Sequence, residues 1–142
     1  MRRSKSGVDY ERGLVREAWD KGLFALRAAG SGSGTSAYPK PDLLIFMPGG
    51  IVDVVQVKTT RKERLRLGPG AWANELLVVE RLRELGFKAR AWLFIRMRGA
   101  RRSLEARIRL DGHEKDILIV ERGAGGDSIT FSWESGGEKK AG

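Results

Sequence analysis

The sequence predicts an α/β fold, and three observations carry that expectation. Residues 7–20 place apolar side chains at helical spacing, two short apolar runs meet at Pro48-Gly49-Gly50, and a second helical stripe leads into an apolar run at 89–95. The 142 residues, 41% of them hydrophobic, are enough for one domain with a substantial core. Neither an internal repeat nor a linker is visible, so residues 1–142 read as a single domain. Its basic start (about 1–5) and its tail (about 135–142) are expected to be disordered.

In the first stretch Val8, Val15, Ala18 and Trp19 recur on one face, with Ser6 as the expected N-cap and Gly22 as the stop. Glu11 falls on the same stripe, three residues after Val8 and four before Val15. An acid on an inward face needs a partner or a purpose, because burying a lone carboxylate is costly. Arg12, Arg16 and Lys21 are the local partners on offer. Residues 23–27 read as a short strand, and the Gly- and Ser-rich stretch 30–41 follows, unable to pack a core. Its amides and hydroxyls, with Lys40, are suited to following a phosphate backbone, and a passive loop is the alternative.

Residues 43–47 and 51–58 are the two arms of an expected hairpin. The period of two puts Val54, Gln56 and Lys58 on one face of the second arm and Asp53, Val55 and Val57 on the other. Residues 59–70 read as a polar, basic connection carrying Arg61 and Lys62 toward DNA, or as a solvated loop. From 71 to 85 a broad helical stripe runs either through Trp72, Leu76, Val79 and Leu82 or through Leu77, Val78 and Leu85, stopped by Gly86. A buried strand is expected at 89–95, a further strand around Leu104, Ala106, Ile108 and Leu110, and two closing strands at 116–121 and 128–133.

Charge sets the class of partner. The 27 Lys and Arg against 18 Asp and Glu leave +9, and such a surface favours a polyanion, because phosphate contacts release counterions. Arginine outnumbers lysine 18 to 9, which suits bidentate phosphate contacts. With no cysteine and a single His113, thiolate and His-rich metal sites are excluded, so a catalytic cation would be held by oxygen and would be Mg2+ or Mn2+. No apolar run approaches the ~18 residues of a membrane helix, and a cytoplasmic protein is expected.

The chemistry lies in a spaced set: Glu11, then Pro41-Asp42, then Gln56-Val57-Lys58. Phosphodiester hydrolysis needs an activated water and neutralisation of charge growing on the phosphate oxygens. A carboxylate-held divalent cation supplies both, and a lysine adds a fixed positive charge beside them. Asp42 is the central ligand on this reading, Glu11 a second carboxylate, Gln56 a neutral oxygen ligand and Lys58 the catalytic cation.

Pro41-Asp42 followed by Gln56-Val57-Lys58 resembles the PD-(D/E)xK nuclease superfamily. The order Tyr10-Glu11-Arg12, Arg27-Ala28-Ala29-Gly30-Ser31-Gly32, Pro41-Asp42 and Val57-Lys58-Thr59 resembles the archaeal Holliday-junction resolvases, most clearly over residues 7–60. The resemblance implies a restriction-endonuclease-like core, a mixed sheet flanked by helices. It also implies a homodimer that recognises four-way DNA junctions by shape and makes paired symmetric nicks with Mg2+. By position, Glu11, Asp42 and Lys58 take the catalytic roles and Arg12 and Arg27 match basic residues beside the site. Ser31 and Ser33 lie in the loop near the scissile strand, and the helix beginning near Ala71 offers the dimer contact.

One position departs from the pattern, because Gln56 stands where the family usually has Glu. The site keeps an oxygen there but loses a charge, so metal affinity is expected to fall. A working variant, a binding-only relative and a substitution that traps substrate are all compatible with it. The leading expectation is a structure-selective endonuclease, and the alternative a non-catalytic or weakly active junction-binding protein. A nuclease cutting ordinary duplexes is disfavoured by the absence of room for a sequence-reading domain.

Overall fold

The computed structural model describes residues 5–28, 38–99 and 102–136. Helix α1 (Lys5–Asp20) begins one residue before Ser6, so Ser6 lies inside the helix. Its buried face is Tyr10, Glu11, Leu14 and Ala18. Trp19, expected on that stripe, is 54% exposed; its indole Nε1 donates to Ala25 O at 2.9 Å and its ring meets Phe24 edge-on. A Trp at the rim keeps its polar edge paired with backbone there, which an apolar core would not allow.

Strands β1 (Phe24–Arg27), β2 (Leu43–Met47) and β3 (Ile51–Thr60) form an antiparallel meander, and the β2–β3 turn uses Gly49 and Gly50 at φ 84° and 76°. Side chains other than glycine rarely adopt that conformation, so the two glycines close the hairpin without strain. Strand β5 (Lys88–Met97) pairs parallel with β3, and β6 (Leu104–Arg109) antiparallel with β5, giving the order β1-β2-β3-β5-β6. A parallel pair needs a long crossover. Here it contains β4 (Arg64–Leu67), a 3-10 turn (Pro69–Trp72) and helix α2 (Ala73–Glu84), with Gly86 at φ 97° just beyond.

The stretch 59–70 is therefore not a polar connection throughout. Arg64–Leu67 pairs antiparallel with β7 (Asp116–Arg122), which pairs with β8 (Ile129–Ser135), making a second, three-stranded sheet. Leu65 is buried, while Arg64 and Arg66 point out to Glu121 and Glu134.

Two cores result, one on each side of the five-stranded sheet. Tyr10, Leu14 and Ala18 of α1 pack on Ala25, Leu43, Ile45, Val55, Val57 and Phe94. On the other side Val52, Val54, Ala91, Leu93 and Ile95 meet Trp72 and Val79 of the crossover together with Leu65, Leu118 and Val120 of the small sheet. Leu77 and Leu85 remain exposed, so the stripe through Trp72 and Val79 is the packed one. Asp53 is buried on the face away from Gln56, and Arg90 of β5 grips both its oxygens at 2.7 and 2.9 Å.

Candidate active site

Asp42 sits immediately before β2, and the sheet fixes its backbone from both sides: Asp42 N donates to Val55 O at 3.1 Å, and Ala28 N donates to Asp42 O at 3.0 Å. Its side chain is fixed as well, because Val57 N donates to Asp42 Oδ2 at 2.8 Å. A charge-assisted bond from the strand's own amide holds this carboxylate at the level of residues 55–57. That stretch carries Gln56, and Lys58 follows it directly.

The alternation of β3 decides which way those two point. Val52 and Val54 belong to the core under α2, and Val55 and Val57 to the core under α1, so Gln56 and Lys58 face the α2 side. Leu44 packs against the α2-side core, and Asp42, two residues earlier, shares its parity. Lys58 is exposed and has no ion pair among the described residues. Gln56 Oε1 is buried without a hydrogen-bond partner. A buried amide oxygen left bare costs ~1–3 kcal/mol unless something fills its coordination, and a cation does so.

Glu11 approaches from the other side. It is 1% exposed on the packed face of α1, and Arg27 Nε of β1 donates to its Oε1 at 2.7 Å. None of Arg12, Arg16 or Lys21 is its partner; Lys21 pairs with Glu17, while Arg12 and Arg16 are exposed. Arg27 stands opposite Leu43 in the β1–β2 register, next to Asp42, so the pair flanks the site. Among the described residues no three His, Asp or Glu side chains are close enough to hold a cation by themselves. A cation here would have to draw on mixed oxygens, and the bare Gln56 oxygen is one of those available.

One residue was not singled out by its sequence. Glu75, in the first turn of α2, is 4% exposed, and its pKa is pushed up to about 7, chiefly by burial and further by repulsion from Asp42. It brings a carboxylate from the helix to the side of the sheet that Gln56 and Lys58 face. The signal was present: Glu75 lies three residues after Trp72 and four before Val79, interrupting an apolar stripe as Glu11 does.

Of the residues expected to meet DNA, Lys40, Arg61 and Lys62 are exposed. Arg61 and Lys62 follow the end of β3, where Lys62 N donates to Thr60 Oγ1 at 3.0 Å. Ser31 and Ser33 lie outside the described residues, as do 1–4 and 137–142, while Lys5 and Ser135, at the edges of the ends expected to be disordered, belong to α1 and β8.

A mixed sheet flanked by helices, presenting an aspartate, an amide oxygen and a lysine at one end within a strongly basic chain, defines a DNA nuclease. The family model of the archaeal Holliday junction resolvase, Hjc, matches residues 2–134, and the chain belongs to that family. Among solved structures the chain is similar to the Hjc Holliday junction resolvase of Archaeoglobus fulgidus, an archaeal hyperthermophile. That match has 28% identity and a TM-score of 0.50, and it covers 72% of this chain and 74% of that one. No curated protein gave a match. The chain is thus a junction-resolving DNA endonuclease acting on four-way junctions, of a family whose chemistry implies a divalent metal ion. No helix among the described residues is long and apolar enough to cross a membrane.

Proposed function

We propose that this chain resolves four-way junctions by Mg2+-dependent hydrolysis, as a homodimer making paired symmetric nicks, with Asp42, Gln56 and Lys58 at the centre of each site. The observation that carries the reading is the pinning of Asp42 to the Val57 amide, which ties the carboxylate to the strand that presents both a bare amide oxygen and an unpaired lysine.

Asp42 and the Gln56 carbonyl fit a hard cation held by oxygen, with Glu11 as the carboxylate on the α1 side. Mg2+ is the expected ion and Mn2+ an expected substitute. Such an ion supplies a water of lowered pKa and a positive charge on the scissile phosphate. Lys58 holds a positive charge beside the attacked phosphate and stabilises the extra negative charge of the transition state. Arg27 orients Glu11. Lys40, Arg61, Lys62 and Arg12 supply phosphate contacts, and Ser31 and Ser33 are proposed to lie near the scissile strand. The exposed Leu77 and Leu85 of the α2 region, with Phe87 beyond Gly86, offer the apolar surface for the second copy.

The test compares a synthetic four-way junction with linear duplex of the same sequence, in Mg2+ and in Mn2+. Nicking confined to the junction, reduced at least ~100-fold in Asp42→Asn and in Lys58→Ala while junction binding persists, is the expected result. Gln56 also favours a second reading, a junction binder with weak or no activity. Binding without nicking in either metal would select it.

A further inference from the structure

Three chain segments meet where β3 and β5 end. Arg98 N donates to Thr60 O at 2.7 Å, and Arg122 N donates to Glu63 O at 2.9 Å, so the β3–β4 turn, the residues after β5 and the end of β7 are tied together. Between them lie two adjoining hollows of about 490 and 480 Å3 that share Glu63, Gly99 and Arg122. Arg61 and Arg98 line the first, and Arg102 and Asp127 the second.

These arginines differ from their neighbours. Arg64 and Arg66 are neutralised by Glu121 and Glu134, and Arg90 by Asp53. Arg61, Arg98, Arg102 and Arg122 have no ion pair among the described residues, and Glu63 and Asp127 line the hollows without pairing to them. Four unpaired guanidinium groups gathered in one concavity against two carboxylates raise the local potential, and such a site attracts an anion.

The cleft is built around Arg122. Its Nη2 donates to Met97 O at 2.8 Å and its Nη1 to Gly126 O at 3.1 Å. A guanidinium has five donors, so this anchoring leaves others for a ligand. A Cβ at residue 99 would stand 2.9 Å from Arg122 Nη2 and 2.9 Å from Arg102 O, so glycine is what allows the guanidinium to lie against the backbone there.

We propose that this cleft is a second phosphate site, gripping the DNA backbone of a junction arm next to the strand being cut. Its position supports the assignment: Lys58 lies two residues before the end of β3, about 7 Å back along the strand at ~3.3 Å per residue, so the cleft opens at the same end of the sheet as the catalytic residues. A ligand at the carboxyl ends of a parallel strand pair is also the usual arrangement in α/β sheets.

The experiment measures binding of a synthetic four-way junction as a function of salt, in Ca2+ so that the DNA stays intact. The double variant Arg98→Gln/Arg102→Gln, at cleft arginines with no other assigned contact, is expected to bind about tenfold more weakly near 0.1 M salt, with a slope of log affinity on log salt shallower by about 2. The control, Arg64→Gln/Arg66→Gln, removes the same charge from arginines already paired and should change both quantities much less. Gly99→Ala, which crowds both the Arg122 guanidinium and the Arg102 carbonyl of the cleft without removing any charge, should weaken binding while the far-UV spectrum stays that of the wild type. Wild-type affinity and slope in the first double variant would overturn the proposal, and so would equal losses in variant and control, since net charge alone would then explain them. Failure of the junction reading itself would look different, because the unaltered protein would not distinguish a junction from linear duplex.

Discussion

Arg27 Nε of β1 stands 2.7 Å from Oε1 of Glu11, joining a strand residue to an acid on the buried face of α1. The pair links the packing of α1 to the strand that flanks Asp42. Removing the cation takes one charged partner from a carboxylate at 1% exposure, and losing a member of a buried pair is destabilising. Arg27→Ala is expected to melt well below the wild type, with Arg27→Lys intermediate. In a double-mutant cycle with Glu11→Gln the two losses should fall short of additive by at least ~1 kcal/mol. Additive losses would show that the two side chains act separately.

Gln56→Glu is expected to increase Mg2+-dependent nicking and to lower the Mg2+ concentration that half-saturates it by roughly tenfold, since one more formal charge would join the oxygens proposed to hold the ion. Without metal the same change should destabilise the protein, because it places an acid in a partly buried position on the side of the sheet that already carries Glu75. Adding Mg2+ should then raise the melting temperature of the variant more than that of the wild type. Equal or lower activity in Gln56→Glu would remove Gln56 from the site.

Glu75 gives the stability curve a pH dependence whose sign follows from its raised pKa. The folded state holds this proton more tightly than the unfolded chain, so the burial penalty is absent below about pH 4.5, grows as pH rises and is complete above about pH 7. The shift corresponds to about 3 kcal/mol at ~1.4 kcal/mol per unit. Glu75→Gln, measured in chelator, should therefore be more stable than the wild type at pH 8 and equal to it near pH 4.5. A constant difference across that range would mean that Glu75 does not titrate in the folded protein.

Much of this arrangement was legible from local pattern. The helix α1 itself, though not the full face it buries, the two glycines of the β2–β3 turn, the stop at Gly86 and the alternation that sends Gln56 and Lys58 to one face and Asp53 to the other all depend on residues within a few positions of each other. The strand β4 was not, because Arg64-Leu65-Arg66-Leu67 is only four residues long and its partner β7 lies more than fifty positions away. Glu75 was passed over because its importance comes from Asp42, a residue on another element, and not from its own neighbours. Trp19 falls on the predicted stripe yet stays at the rim, because periodicity gives a helix face only to within about one residue and the packing of β1 decides where that face ends.

By itself, then, the chain determined its class, its polyanionic partner and which side chains are candidates for the chemistry, because residue type and spacing fix charge, donor atoms and strand direction. Only the tertiary structure decided that Glu11 is held by Arg27, that Asp42 is fixed by the Val57 amide, that Glu75 belongs beside it and that four arginines from three distant segments share one cleft. Those relationships join residues far apart in the chain, and such contacts exist only once both cores have packed.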